Sequence, residues 1–313
     1  MQSADIAAVL ARQDGVICRR QVLECEGTDS DIARMLRRRE WACVFPGVYV
    51  NHTGPPSWKQ RAWAAVLYHQ PAALAGASAL RAAGLDVGAE SAPIELVVAW
   101  PRRVVDPPGV VTRQLVAYEG AIHGNLSPPR MRVEQAALHV ASRARTEDAA
   151  VAALGNVVQQ RRTTAQRLLE ALDAQPRLKH RRLLRAVLSD VAMGTNSALE
   201  RRYLRDVERA HGLPEGRRQP RAGSGEKSAY RDVRYERQAA LVELDGKLGH
   251  DGTEDRWDDI DRDVASAVDG ELTLRAGWRQ VLDPCRLATA VATILQARGW
   301  EDDAQSCPRC REQ

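Results

Sequence analysis

The chain has 313 residues, enough for two or three domains of ordinary size. Apolar residues make up 44% of the sequence, which is enough to fill hydrophobic cores and excludes a disordered chain. The net charge of +4 does not by itself indicate nucleic-acid binding, and the longest apolar runs are far shorter than the ~20 residues of a membrane span. The N-terminus lacks the features of a signal peptide, so we expect a cytoplasmic protein without membrane contact.

Residues 1–55 show the pattern of a winged helix-turn-helix domain. Two short helices are predicted before Gly27, and a third follows Thr28, which begins a capping-box-like motif. Two strands then flank the turn at Pro46-Gly47. Three helices followed by a β-wing predict a DNA-binding domain whose third helix enters the major groove.

The third predicted helix carries three outward arginines, Arg34, Arg37 and Arg38. Guanidinium groups in this place suit phosphates and base edges, and the alternative is the solvated face of a protein-protein module. The wing sequence Val44-Phe-Pro-Gly-Val-Tyr49, with the preceding helices, resembles the N-terminal domain of AbiEi-type antitoxins from abortive-infection systems. This resemblance implies binding to DNA and a cognate toxin or other defence-system partner.

Residues 56–195 form a middle region that is first mixed and then helical. Strands are predicted at Pro93–Trp100 and Val110–Ala117, and helices from Met131 to Ser189. The basic stretch between Arg177 and Arg185 could follow a phosphate backbone or form a solvated helix face. We find no catalytic constellation in this region.

The sequence changes character in a third region, residues 196–300. An amphipathic helix begins at Ser197-Ala-Leu-Glu200, and two strands are joined at Arg237-Gln238. If those two residues form the turn, positions equally distant from it lie opposite each other. Asp232 would then face Glu243 across the hairpin, with Cβ atoms about 5 Å apart, and Asp245 would share the face of Glu243.

Two opposed carboxylates repel each other by about 3 kcal/mol at an effective dielectric constant of 20. A bound cation between them, or protonation of one of them for acid–base chemistry, would relieve that repulsion. The structural alternative is neutralisation by a cationic side chain, for which Arg231, Arg234 and Lys247 are available.

The same region resembles the nuclease domain family related to the very-short-patch-repair endonucleases, within the PD-(D/E)XK superfamily. The resemblance is carried by Ser197-x-x-Glu200, Asp232, the run Val242-Glu243-Leu-Asp245-Gly246 and His250, with Arg262-Asp263, Leu274-Arg275 and Trp278 downstream. It implies a mixed sheet flanked by helices and a Mg²⁺ ion, with Mn²⁺ as a substitute, bound by Asp232 and Glu243. By this resemblance Glu200 assists through a metal-bound water, and His250 protonates the leaving group or contacts phosphate.

The sequence departs from the family pattern at one position, and two of the residues also have structural explanations. The departure is Asp245, which occupies the position of the superfamily's lysine, a role that Lys247 could take instead. Glu200 could complete a capping box begun by Ser197, and Asp245-Gly246 could be an ordinary turn that ends a strand.

The six cysteines suggest a reducing compartment rather than a disulfide framework. Cys18, Cys25, Cys43 and Cys285 are predicted to be small core residues. Cys307-Pro-Arg-Cys310 has the spacing of half a zinc site, but the sequence offers it no second pair or histidine nearby. We therefore predict that residues 301–313 form a disordered polar tail.

The sequence thus predicts an α/β chain, α+β overall: a winged helix, a mixed middle region and a PD-(D/E)XK-like sheet flanked by helices. The first functional hypothesis is a Mg²⁺-dependent DNA endonuclease with a winged-helix targeting module. The alternative is a non-catalytic AbiEi-like antitoxin or transcriptional regulator with a degenerate nuclease fold. A third is a nucleic-acid-processing partner that is inactive outside a larger defence or repair complex.

Overall fold

The computed structural model describes residues 4–193, 197–219, 232–246 and 272–311. Contacts divide the chain into two compact units, Met1–Val140 and Ala141–Gln313, whereas the sequence predicted boundaries at residues 55 and 195. Helices and sheets are mixed in both units, which confirms the predicted α+β class. None of the helices in the described ranges is long and apolar enough to cross a membrane.

The first unit contains six helices and eight strands among its described residues. The helices are α1 (Ala4–Arg12), α2 (Arg19–Glu24), α3 (Asp29–Arg37), α4 (Trp58–Tyr68), α5 (Gly76–Ala82) and α6 (Tyr118–Ala121). The strands are β1 (Val16–Cys18), β2 (Ala42–Phe45), β3 (Val48–Val50), β4 (Ala73–Leu74), β5 (Ile94–Ala99), β6 (Val110–Leu115), β7 (Ile122–His123) and β8 (Arg130–Met131). The boundary between the units lies within α7 (Val133–Arg143).

The N-terminal elements have the order of a winged helix. Strands β1, β3 and β2 form an antiparallel sheet in that order. The predicted turn connects β2 to β3 and contains Gly47, whose φ of 76° favours glycine. Thr28 caps α3 as predicted, since its hydroxyl accepts the Asp31 amide while the Asp31 carboxylate accepts the Thr28 amide. Strand β1 was not predicted, because all three of its residues are buried and lack the alternation of a half-exposed strand.

A five-stranded sheet of order β6-β5-β4-β8-β7 follows the wing. The two strands predicted near residues 93–100 and 110–117 are confirmed as β5 and β6, which pair in parallel. Helix α4 contacts both sheets: Trp63 and Leu67 pack in one core with Val16 and Val48, and the helix also contacts β5. The predicted boundary at residue 55 therefore separates segments that share a core.

The second unit contains a mixed sheet among helices. Its helices are α8 (Glu147–Gln159), α9 (Ala165–Asp173), α10 (Arg181–Met193), α11 (Ser197–Arg202), α12 (Trp278–Leu282) and α13 (Pro284–Gln296). Its described strands are β9 (Arg217–Gln219), β10 (Asp232–Tyr235), β11 (Ala240–Asp245) and β12 (Leu272–Gly277). The strand order is β12-β11-β10-β9; β11 is parallel to β12 and antiparallel to β10.

Helix α11 does not end at Arg202 but changes its winding. It continues as a π-helical turn over Tyr203–Glu208 and a 3-10 turn over Arg209–His211, and Gly212 ends it with a φ of 64°. Tyr203 and Val207 from this segment are buried. A buried π turn of this kind changes which side chains face the interior, and such turns are frequent at functional sites.

A buried carboxylate joins this helical segment to the sheet. Glu208 is 2% exposed, and its carboxylate accepts hydrogen bonds from Arg218 Nη2 at 2.9 Å and from the Tyr235 hydroxyl at 3.3 Å. The Tyr235 hydroxyl lies 2.9 Å from the Tyr203 hydroxyl. Burial raises the pKa of Tyr235 above its ordinary value, and Tyr203 adds to the shift, so the phenol keeps a proton to donate to Glu208. The ionised carboxylate is thereby paired and hydrogen-bonded, as a buried charge must be.

Replacing Arg218 with alanine should destabilise the second unit, because Glu208 would keep its charge in a buried place without its cation. We expect a loss of about 2–3 kcal/mol, below the about 3–5 kcal/mol of a fully buried pair because the Arg218 side chain is 29% exposed. Hydrogen exchange of the β10 and β11 amides would measure the loss separately from the first unit.

The matched control is Arg217→Ala, one position earlier on the same strand. Arg217 lies 2.7 Å from Glu236, but both side chains are more than half exposed, at 66% and 55%. Such an exposed pair contributes only about 0.2–1 kcal/mol. Equal increases in exchange for the two variants would contradict the role given to Glu208.

Candidate functional site

The predicted pairing of the two carboxylate positions is confirmed. Asp232 on β10 lies directly opposite Glu243 on β11, and the pairing continues to Tyr235 opposite Ala240. The connection is a 3-10 turn over Glu236–Gln238 followed by Ala239 in the left-handed region, at a φ of 47°. This turn is longer than the predicted two-residue turn but has the same centre, so the register is unchanged.

Glu243 also has a cationic partner on its other side. Arg275 of β12 occupies the position directly beside Glu243 in the parallel pairing, and its Nε donates to Glu243 Oε2 at 2.9 Å. The sequence analysis considered Arg231, Arg234 and Lys247 as neutralising cations and did not consider Arg275, which lies more than thirty positions away. Glu243 is 19% exposed, and its Oε1 has no hydrogen-bond partner within the described residues.

The structure describes the remaining predicted residues only in part. Asp245 is half-buried at the end of β11, opposite Gly277, so no β12 side chain covers it from the adjacent position. Only the backbone of Asp232 belongs to the described part of the chain. Lys247 and His250 lie outside the described residues.

Glu200 is half-buried on α11, near the start of the helix. The predicted capping box required Ser197 to precede the helix, but Ser197 is its first residue. The Ala198 amide instead donates to Oδ2 of the buried Asp190 at 2.7 Å. Asp190 therefore satisfies one amide at this helix end, and the capping interpretation of Glu200 stays a prediction.

A cleft of about 720 Å³ opens beside Arg275. Three arginines line it, Arg275, Arg279 and Arg286, together with the acidic residues Glu147, Asp148 and Asp283. Arg279 and Arg286 are exposed and make no ion pair with a described residue, whereas Glu147 is bound by Arg202 at 2.7 Å. The cleft thus offers the guanidinium groups of Arg279 and Arg286, unpaired among the described residues, beside Arg275, the partner of Glu243.

The three arginines predicted to contact DNA differ in their environments. Arg37 and Arg38 are exposed at the end of α3; Arg38 lies 4.0 Å from Glu40, and Arg37 has no partner in the described ranges. Arg34 is half-buried and binds Asp31, the carboxylate that completes the cap of α3. Arg34 therefore contributes to the stability of its own helix. Of the three predicted arginines, Arg37 and Arg38 are the ones whose side chains are exposed for contact with DNA.

The structure brings together a second group of functional residue types that sequence analysis missed. His211, Cys285, Cys307 and Cys310 each offer one ligand atom, and the four atoms all lie within 4.8 Å of one another. The prediction that Cys307 and Cys310 lack partners in a disordered tail is wrong, as is the assignment of Cys285 as an isolated core residue. Cys307 is only 4% exposed.

The local backbone explains how these residues meet. The Gln305 amide donates to the His211 carbonyl at 2.8 Å, which fixes the C-terminal segment against the end of the 3-10 turn. Gly212 permits this approach, since a Cβ there would lie 2.8 Å from the Gln305 side chain. Pro284 begins α13 and places Cys285 in its first turn.

The cysteine spacing was the one available sequence signal for this cluster. Cys307 and Cys310 show the C-x₂-C spacing, but His211 lies 99 positions before Cys310 and no motif connects them. Burial raises the pKa of the Cys285 thiol to about 12, and hydrogen bonds with Cys310 and Cys307 add to the shift.

No protein-family model matches the chain, and neither does any curated protein. Among solved structures, the chain is similar to the RV2827C protein from Mycobacterium tuberculosis, with 17% sequence identity and a TM-score of 0.39. The similarity covers 63% of this chain and 78% of that chain.

Proposed function

We propose that the chain is a metal-dependent DNA endonuclease whose active site contains Asp232 and Glu243. The observation that carries this proposal is the direct opposition of these two residues on a mixed sheet. Like charges at opposed positions destabilise a hairpin, so their presence there favours a function that uses both. Such a function is the binding of a divalent cation for phosphodiester hydrolysis.

The available ligand atoms suit Mg²⁺ or Mn²⁺. Both are hard cations that prefer carboxylate oxygens and bind through one or two carboxylates together with water and substrate phosphates. Arg275 occupies Oε2 of Glu243, but Oε1 is not hydrogen-bonded to any described residue. The bound ion would supply positive charge next to the attacked phosphate.

The side chains of this unit would orient the substrate. Arg279 and Arg286 line the cleft beside Arg275, the partner of Glu243, and could bind phosphates on either side of the cleaved bond. Arg275 holds the Glu243 carboxylate in one orientation and extends the same cationic surface. Asp245 and Glu200 remain candidates for further assistance, and the proposal extends to Lys247 and His250 by resemblance alone.

The winged helix would bring the protein to DNA. Arg37 and Arg38 lie at the end of α3 with their guanidinium groups exposed, as phosphate contacts require. Arg34 stays a weaker candidate, because a phosphate would compete with Asp31 for its guanidinium group. This module would supply affinity, while the second unit would supply the reaction.

One observation favours a second candidate, a non-catalytic DNA-binding regulator of the AbiEi type that acts with a cognate toxin. The Arg275–Glu243 ion pair neutralises one of the two opposed carboxylates without any metal. In that case the sheet would serve as an interaction domain. DNA binding would survive substitution of both carboxylates, and calorimetry would detect no uptake of Mg²⁺ or Mn²⁺.

The decisive substitution is Glu243→Gln, which keeps the size of the side chain and an oxygen that can accept from Arg275. We expect nicking of supercoiled plasmid in Mg²⁺ or Mn²⁺ to fall by at least the about 10–100-fold that loss of an outer-shell partner causes. Asp232→Asn should have the same effect, since a metal bridged by two carboxylates depends on both.

Glu236→Gln is the matched control for this test. Glu236 lies in the turn of the same hairpin, is exposed and binds Arg217, so the substitution makes the same change in charge away from the site. Its nicking rate should equal that of the wild-type protein. Failure of the wild-type protein to cleave any DNA or RNA in either metal would reject the enzymatic proposal in favour of the regulator.

A second experiment tests the role of α3. Arg37→Ala should weaken binding to duplex DNA about equally for all sequences, because a phosphate contact carries no sequence information. The slope of log K against log salt concentration should become less steep by about 0.9, the contribution of one phosphate contact.

Arg12→Ala serves as its control, because Arg12 is also an exposed arginine of the first unit but belongs to α1. The control should leave the salt slope unchanged. If both variants change the slope equally, net charge rather than α3 determines DNA binding.

A further inference from the structure

The four residues His211, Cys285, Cys307 and Cys310 have the geometry of a tetrahedral metal site. The Sγ atoms of Cys285 and Cys307 are 3.6 Å apart, those of Cys307 and Cys310 are 3.7 Å apart, and Cys310 Sγ lies 3.6 Å from His211 Nε2. Bond lengths of about 2.3 Å to sulfur and about 2.0–2.1 Å to nitrogen give tetrahedral edges of about 3.8 and 3.6 Å. We propose that these four side chains bind one structural Zn²⁺ ion.

The orientation of His211 supports this site independently. Its Nδ1 lies 3.0 Å from the Val207 carbonyl oxygen, which can only accept a hydrogen bond. The proton of the neutral ring must therefore be on Nδ1, and Nε2 presents a lone pair to the cysteines. A histidine ligand of zinc is commonly oriented by this kind of contact. His211 is only 3% exposed, so Nε2 lies in the protein interior, away from water.

The chemistry of the ligands selects the metal. Thiolates and imidazole are soft or borderline ligands that suit Zn²⁺, whereas Mg²⁺ and Mn²⁺ prefer oxygen. Four protein ligands fill a tetrahedral coordination sphere and leave no open position for water or substrate, which is typical of a structural site. This site is therefore distinct in kind from the carboxylate pair of Asp232 and Glu243, and it does not depend on the proposed nuclease activity.

A disulfide does not explain the cluster. Cys307 and Cys310 are not joined by a disulfide: their sulfurs are 3.7 Å apart, far beyond the about 2.05 Å of a disulfide bond. Simple core packing does not explain it either, since it would leave His211 Nε2 buried with only a weak thiol donor. A cation accounts for both the three sulfurs and the imidazole nitrogen.

Binding changes the protonation of the ligands in a defined way. Three Zn–S bonds and one Zn–N bond form, and up to three thiol protons pass to solvent as the cysteines become thiolates. The neutral ring of His211 loses no proton, because its proton is on Nδ1 and Nε2 carries the lone pair that binds the metal. The positive charge of the ion then stabilises three neighbouring thiolates, which would repel one another without it.

The ion would connect three segments that are distant in sequence. His211 ends the helical segment that contains Glu208, Cys285 lies in the first turn of α13, and Cys307 and Cys310 belong to the C-terminal segment. The Gln305–His211 hydrogen bond also joins the last segment to the first. Zinc would thus link the C-terminal segment to the helical segment and to α13 within the second unit.

The test is metal analysis of the full-length protein, expressed with zinc and purified under reducing conditions. We expect about one zinc ion per chain in the wild-type protein, and a severalfold lower content in Cys310→Ser. Cys43→Ser is the matched control: Cys43 is exposed, lies in the first unit and is outside the cluster, so its zinc content should be unchanged.

Cobalt exchange keeps the proposal testable if Cys310→Ser does not fold. Co²⁺ in the wild-type protein should show the intense visible absorption of a tetrahedral thiolate site, and Zn²⁺ but not Mg²⁺ should abolish it. A chelator should also lower the melting temperature until zinc is restored. Wild-type protein that contains no zinc and gives no cobalt spectrum would overturn the proposal. So would an intact mass lower by two hydrogens together with a Cys307–Cys310 disulfide located by peptide mass mapping.

Discussion

The buried carboxylate of Glu208 is the constraint on which the second unit depends. Its charge can stay in the interior only while Arg218 and Tyr235 hold it, and these partners lie on neighbouring strands. Tyr235 is on the strand that presents Asp232, and Glu208 is three residues before His211. One ion pair therefore positions both the carboxylate hairpin and the histidine of the cysteine cluster.

The second important interaction is the pairing of Glu243 with Arg275. The parallel alignment of β11 and β12 makes this contact a direct consequence of register, so it does not depend on a chance side-chain conformation. A guanidinium bound to Oε2 of Glu243 lowers the repulsion between the two opposed carboxylates, and Oε1 has no hydrogen-bond partner among the described residues. The same contact is thus compatible with a metal-dependent endonuclease and with a regulator that binds no metal. Metal-dependent DNA cleavage is therefore the property that distinguishes the two proposed functions.

Local patterns in the sequence predicted the features that local physics determines. The Thr28 cap, the turn at Gly47 and the opposition of Asp232 and Glu243 all follow from residues close together in the chain. Strand β1 was missed because it is too short and too buried to alternate. Arg275 beside Glu243 and His211 beside Cys310 depend on long-range pairing, for which a single sequence carries no signal.

The π turn over Tyr203–Glu208 sets the rotational phase of everything that follows it in the helix. Each residue of an α-helix turns the next side chain by about 100°, so a one-residue change in winding moves a side chain to a different face. If this turn were wound as a regular α-helix, the imidazole of His211 would point away from the cysteines, although every residue would still be present. The widened turn thus accommodates one residue more than a regular α-helix would, and a single-residue deletion in it could be absorbed by regular α-helical winding with His211 still facing the cysteines.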